Sequence, residues 1–435
     1  MNFPRFVQAE QSFPNRAIAK IEDHIRQELS SSNIAARVPK GARIAIGVGS
    51  RGISNIARIT KAVVGFWKEH GAQPFIIPAM GSHGAATAEG QSDVLAHYGI
   101  HEATMGVPVV SSLDVVPLGT TPEGIETFLD KNAYEADGVF LVARVKWHTD
   151  FAGAIESGLF KMMAIGLGKF AGAQSYHSFA YRMGLETMSR SVGASVFASG
   201  KVLGGLAIQE GAYHETAGLT AVGTAQGLQS MLAQEEAILR KVKSWMAKLP
   251  APEIDILIVD EIGKNISGAG MDTKVINRGV NGQYNPWPDT PLVHRIYARG
   301  LSAHTYHSAV GLGMADVVHD RLVSDVDWKP TYINSLTAST PACIRTPIHY
   351  PSDREALTAI SPTVGKTNLS EVTYCRIRNT LELVEFEVSE NLLLSVYGNV
   401  KATSAPFAVH FDASGNLPEP QTHDHAENRL HTAEV

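Results

Sequence analysis

Residues 42–84 read "ARIAIGVGSRGISNIARITKAVVGFWKEHGAQPFIIPAMGSHG", and no other stretch restricts the fold as much. Two short apolar runs, each closed by a glycine-containing loop, flank a segment whose apolar residues repeat with the helical period. Ile56, Ile59, Val63, Phe66 and Trp67 fall on one stripe of that segment. Ser54 or Asn55 is placed to cap its start and Gly71 to end it. Strand, helix and strand in this order make a βαβ unit, which requires parallel strands and a right-handed crossover. The expectation is an α/β protein.

The rest of the chain extends this reading. An amphipathic helix, "NRAIAKIEDHIRQEL", precedes the unit, and a short helix is expected over about residues 87–98. Strands are expected at "VPVVSS", "DVVPLG", "DGVFLVARVKWHT" and "GKVLGGLAIQEGA", with a glycine-rich helical region, "ESGLFKMMAIGLGKFAGAQSYHSFAYRMG", between the last two. The charged helix "QEEAILRKVKSWMAKLP" looks like a connector, and "EIDILIVDEIGKNISGAGMD" starts a new strand–loop unit. Beyond it, "LVHRIYARGL" and "SDREALTAI" read as helices, and "VTYCRIR" and "LLLSVYG" as strands. A length of 435 residues exceeds one ordinary core. The expected organisation is two α/β domains with largely parallel sheets and an active-site cleft between them. Residues 1–248 would form the N-terminal domain, 249–412 the C-terminal domain and 413–435 a flexible polar tail.

Composition narrows the function. Lys and Arg total 37 against 43 acidic residues, a formal charge of −6, and no basic run suggests nucleic acid. Two cysteines, Cys343 and Cys375, are too few for a disulfide framework. No signal peptide or membrane span is apparent, so a soluble, cytoplasmic protein is expected. Histidine is the outlier, with 17 residues.

The unusual residues lie in loops at strand ends, where open α/β sheets bind ligands. "GVGSRG" (47–52) fits a glycine-rich phosphate loop, but the acid of a dinucleotide fingerprint is missing from the end of the next strand. A plain turn, or a loop offering Ser50, Arg51 and its amides to an anion, fits as well. His83, between two glycines in "GSHG", suits a general acid/base, a metal ligand or a loop-capping residue. His148 ends a strand, in "WHTDFAG". Lys161 lies inside apolar sequence, as a snorkelling side chain or a functional amine. His177 is a ligand or a core histidine, and Glu156 a helix-start residue or a site group. Lys264, Asn265 and Asp272, in "DEIGKNISGAGMD", suit a substrate-facing loop or a solvated turn. His304 and His307 have metal-pair spacing without an evident third ligand.

Taken together, "GSHG", "WHTDFAG", "SGLFK" and the later His177 resemble the lactate racemase superfamily, whose members use a nickel-pincer nucleotide. The family's lysine sits in a Ser-Gly-x-x-Lys context, matched by Ser157 to Lys161, and its metal histidine follows at a similar spacing to His177. The resemblance implies the cofactor pyridinium-3-thioamide-5-thiocarboxylic acid mononucleotide with Ni(II). Lys161 would bind it as a covalent thioamide, and His177 would ligate the metal. Ser50, Arg51 and Gly52 would support the cofactor, while Arg51, Lys264 and Asn265 would bind substrate. His83 and His148 would exchange the hydroxyl proton on opposite faces of a 2-hydroxy acid, while hydride passes to the cofactor and back. The implied partners are the small-molecule substrate and the cofactor-synthesis proteins, with no nucleic acid and no membrane; a homodimer is left open. The family's first loop, Asp-x-Thr-Arg-Pro, is here Gly49-Ser50-Arg51-Gly52, and the spacing from His148 to Lys161 is longer. Both mark a divergent subgroup whose substrate need not be lactate, with larger 2-hydroxy acids, sugar acids included, left open. Two competing readings are a nicotinamide-dependent dehydrogenase using "GVGSRG" and a non-enzymatic binder of a small carboxylate.

Overall fold

A computed structural model describes residues 3–50, 52–366 and 368–419. Contacts divide the described chain into one unit of residues 15–246 and another in which residues 3–14 join residues 247–419. The first strand, β1 (Phe6–Gln11), pairs antiparallel with strands near the other end of the chain, Phe6 opposite Ser389 and Ala9 opposite Ala402. It therefore lies in the C-terminal unit, whereas the sequence reading groups it with residues up to 248. A local window shows that Phe6, Val7 and Ala9 will be buried, but not which distant strands bury them.

The unit of residues 15–246 runs α1 (Ile21–Ser31), β2 (Arg43–Val48), α2 (Ile56–Glu69), β3 (Gln73–Pro78), α3 (Ala88–His97) and α4 (Glu102–Met105). A hairpin of β4 (Val115–Thr120) and β5 (Glu126–Asp130), then α5 (Lys131–Glu135), leads to β6 (Gly138–Arg144). After α6 (Leu159–Lys161), α7 (Lys169–Met183) and α8 (Leu185–Ala198), the strands β7 (Val202–Glu210) and β8 (Thr216–Gly223) close the sheet, followed by α9 (Leu228–Lys243). The sheet order is β3-β2-β6-β7-β8, parallel except for β8.

The continuous apolar runs follow from burial on both faces. Ile44, Ala45, Ile46 and Val48 of β2 are all sealed from solvent. On one face Ile46 packs in a cluster with Ile59, Val63 and Trp67 of α2 and Phe140 of β6. On the other, Ala45 and Leu141 share a cluster with Leu159, Phe160 and Leu239. The "VPVVSS" strand reduces to a single bridge between Val109 and Ile76.

One topological feature positions the site. The chain leaves β2 for β3 on one side, and later returns to β6 on the other side of β2. The loops after β2, β3 and β6 thus leave the same carboxyl edge where the winding reverses, the place at which such sheets open a crevice.

The C-terminal unit contains β9 (Glu253–Ile262), α10 (Thr273–Ile276), β10 (Leu292–Leu301), β11 (Val317–His319), α11 (Asp320–Ser324) and α12 (Trp328–Thr337). It continues with β12 (Ile348–Tyr350), α13 (Asp353–Ile360), β13 (Tyr374–Ile377), β14 (Glu385–Ser389) and β15 (Val400–Ala402). Its sheet order is β12-β11-β10-β9-β13-β14-β1-β15, with the strands from β12 to β13 parallel. Three expectations change here. "LVHRIYARGL" is the strand β10, not a helix. Its arginines imitate a polar helix face, yet Arg299 is fully buried against Asp353 (2.8 Å) and Asp260, which lie far away in sequence. "LLLSVYG" begins with a 3-10 turn at Leu392–Ser395 instead of a strand. The expected tail is anchored through residue 419. Leu417 donates its N–H to Asp353 (2.7 Å) and accepts from Arg299 (2.9 Å), and the Pro418 carbonyl accepts from Arg376 (2.6 Å). Residues 420–435 lie outside the described residues.

Candidate active site

The loops after β2 and β3 meet through side chains. Ser50 Oγ is hydrogen-bonded to His83 Nδ1. The Tyr98 hydroxyl donates to the Ser50 carbonyl at 3.2 Å. Arg144, at the end of β6, donates to the Gly52 carbonyl (3.1 Å) and pairs with Glu210 at 2.6 Å. Glu210 in turn accepts the Ser54 N–H at 3.0 Å. Arg51, expected to grip an anion, lies outside the described residues. Asn55 does occupy the cap position of α2, but in a left-handed conformation (φ 62°) and without a side-chain cap.

The glycines around His83 serve the protein's own packing. A side chain at Gly81 (φ +60°) would come to 3.0 Å from Ile165, and one at Gly84 (φ +67°) to 2.5 Å from the backbone of α3. Both φ values are ones only glycine adopts without strain.

His148 sits in a loop closed at its base by reciprocal hydrogen bonds between Lys146 and Ser157, each 3.1 Å. Glu156, buried at the closing end, accepts the N–H of His148 (2.5 Å) and of Gly153 (3.1 Å), and pairs with Lys243 at 2.5 Å. It thus shapes the loop and does not start a helix. The Asp150 N–H donates to His148 Nδ1 at 3.0 Å. The other ring nitrogen, Nε2, lies 2.5 Å from the Lys161 amine. The ring of Phe151 packs on the imidazole with centroids 4.8 Å apart.

Lys161 ends α6 and leads into a π-helical turn, Met162–Gly166, an irregularity frequent at functional positions. Beneath α6, the buried carboxyl of Glu235 accepts the Phe160 N–H at 3.1 Å. A side chain at Gly158 would collide with it, which gives the glycine of "SGLFK" a physical reason. Burial pushes the Glu235 pKa up to about 7, against the pull of the Phe160 and Leu159 amides. His177, on α7, has its pKa lowered first by burial and then by the positive charge of Lys161, while Asp150 opposes both. Its ring is therefore biased to the neutral form, the form that binds metals. Among the described residues no group of three or more His, Cys, Asp or Glu side chains could hold a metal ion.

Sequence reasoning missed Lys169. It is fully buried, with its amine 2.6 Å from the Pro78 carbonyl, 3.0 Å from Asp130 and 3.2 Å from Gln91. The available signal was a second lysine in the same glycine-rich apolar run as Lys161.

In the C-terminal unit, the Lys264 amine donates to Asn334 (2.9 Å) and Asn265 donates to Ser302 (3.0 Å). Asp272 is buried and caps α10 through the Lys274 N–H at 3.0 Å. His307 pairs with Asp325 at 2.8 Å. Among the described residues no helix is long and apolar enough to cross a membrane.

Residues 6–187 match the lactate racemase N-terminal domain family. In fold the chain is similar to the lactate racemase apoprotein from Thermoanaerobacterium thermosaccharolyticum. Identity is 12% and the TM-score 0.51, over 87% of this chain and 99% of that one. A crystal structure of a protein from Thermotoga maritima is matched at 13% identity and a TM-score of 0.47, over 66% of this chain and 72% of that one. No curated protein matches the sequence.

Proposed function

We propose that the protein is a racemase or epimerase of a 2-hydroxy acid, working with a nickel-pincer nucleotide held at Lys161 and His177. The observation that carries this reading is the arrangement of two histidines on the loops either side of the β2 loop, with the Lys161 amine against one of them. A racemase needs an acid/base group for each stereoisomer, and imidazole exchanges protons near neutral pH.

The donor set fits the cofactor. One imidazole biased to its neutral form and one amine on an adjoining turn can hold a group that brings its own metal donors. Lys161 would anchor it and His177 would ligate the nickel, with Ser50 and Gly52 in the neighbouring loop. When bound, the group supplies a hydride acceptor and donor, which a bare side-chain base cannot replace at an unactivated alcohol carbon.

The chain's own residues handle the proton. His83 takes the hydroxyl proton of one enantiomer at its ring nitrogen and returns it on reversal, its other nitrogen held by Ser50. His148 does the same for the opposite enantiomer, with the Asp150 amide and the Lys161 amine at its two ring nitrogens. Glu156 keeps the His148 loop in register. Arg51, Lys264 and Asn265 are proposed to bind the substrate carboxylate or a cofactor phosphate.

The test is a stereochemical assay over a panel of 2-hydroxy acids, sugar acids included, on protein co-produced with the cofactor-synthesis enzymes. Interconversion of stereoisomers, with about one nickel per chain and added mass on the Lys161 peptide, is the expected result. Stoichiometric release of a keto acid with NAD(H) would favour a dehydrogenase using the "GVGSRG" loop. Binding without turnover in nickel-loaded protein would favour a carboxylate-binding protein.

A further inference from the structure

The segment that carries Lys161 and His177 also carries Lys169, midway between them in sequence. Lys169 stands where the π turn passes into α7, with a left-handed backbone (φ +54°) that a non-glycine residue adopts only at a cost. Its side chain is sealed from solvent. The amine donates to the Pro78 carbonyl at the end of β3 and to Gln91 Oε1 on α3, and pairs with Asp130 Oδ2 at the end of β5.

Each acceptor leads back to the site. Pro78 ends the strand from which the His83 loop leaves. Gln91, held by Lys169 through its oxygen, donates its amide to the Gly81 carbonyl (2.8 Å) and the His83 carbonyl (3.3 Å). Asp130 donates its N–H to the Leu167 carbonyl (2.7 Å), just past the π turn, and caps α5 through Ala133 (2.9 Å). The Gly81 N–H donates to the Gly166 carbonyl at 3.3 Å. The His83 loop and the Lys161–His177 segment are therefore joined through Lys169 and the Gln91 amide, with Asp130 as the buried counter-charge.

A buried ion pair adds little net stability compared with apolar residues of similar size. What it does add here is a fixed orientation.

We propose that Lys169 is a positioning residue for His83: through Gln91 it locks the histidine's loop to the segment that bears Lys161 and His177, while Asp130 holds the lysine in place. The proposal rests on the functional reading only for the role given to His83. Its geometric content can be tested without turnover.

The double variant Lys169→Met/Asp130→Asn removes both charges together, which avoids leaving one of them buried and unpaired. Gln91→Met leaves the ion pair intact and breaks only the relay, so it provides the test if the double variant does not fold. Modification of His83 by diethyl pyrocarbonate is followed by peptide mass spectrometry, with exposed His101 as internal reference. In a variant that retains the wild-type melting temperature, loss of the relay loosens the His83 loop. His83 modification should then rise about fivefold relative to His101, the ratio expected for losing one ordinary hydrogen bond. An unchanged or slower His83 rate in a folded variant overturns the proposal, whether or not the protein racemises anything.

Discussion

The Lys161 amine lies 2.5 Å from Nε2 of His148, and its charge also lowers the pKa of His177. One amine therefore acts on both the proposed acid/base group and the proposed metal ligand. Replacing it by an isosteric neutral side chain removes the second cause of the His177 shift and leaves burial, the first. In Lys161→Met the His177 midpoint should rise, measured by NMR titration of its ring protons. A midpoint unmoved from wild type would show that the amine does not act on His177.

His83 and His148 are each assigned one direction of proton transfer. Loss of a positioned acid/base group typically slows a reaction by about 10²- to 10⁴-fold. His83→Ala and His148→Ala should each lower interconversion by that order in cofactor-loaded protein, while the mass added at Lys161 stays. Near wild-type turnover in either variant would remove that histidine from the mechanism.

Glu156 holds the His148 loop through two backbone N–H groups and Lys243. Glu156→Ala leaves these donors without their acceptor, at a cost of about 2 kcal/mol. The urea midpoint should fall accordingly, and activity should drop further than stability explains because His148 loses its anchor. Unchanged stability and activity together would show that the loop holds itself.

Glu235 gives a pH dependence with a definite sign. Its buried carboxyl is pushed up from the ordinary 4.5 to about 7. Below about pH 4.5 both folded and unfolded chains hold the proton, and the contribution to stability is complete. As pH rises from there, the unfolded chain ionises first, so stability declines until the folded carboxyl also ionises near pH 7. The loss is on the order of 3 kcal/mol at most. Comparing melting temperatures from pH 4.5 to 8, wild type should lose stability across this window relative to Glu235→Gln. Parallel curves for the two proteins would contradict the shift.

The sequence made the α/β class legible because buried parallel strands and an amphipathic helix leave unmistakable periods, as in Ile44 to Val48 and Ile56 to Trp67. Strand-end loops likewise marked His83 and His148 as candidates, and a lysine inside a glycine-rich apolar run marked Lys161. What stayed hidden depends on partners distant in sequence. β10 resembled a helix because Arg299 looks like a surface residue until Asp260 and Asp353 surround it. β1 belongs with β14 and β15 at the far end of the chain. Lys169 reads as one more lysine until Asp130, Gln91 and Pro78 close around its amine. The reason for the glycines of "GSHG" was equally hidden: Gly81 and Gly84 pack against Ile165 and α3.

The most direct test of the central claim follows the hydrogen on the substrate's α-carbon. Cofactor-loaded protein is given the best 2-hydroxy acid of the panel, deuterated at C2, in ordinary water, and the product stereoisomer is analysed by mass spectrometry. Hydride transfer predicts that the product keeps the deuterium. Loss of the label to solvent would mean that the carbon is deprotonated, and would contradict the account.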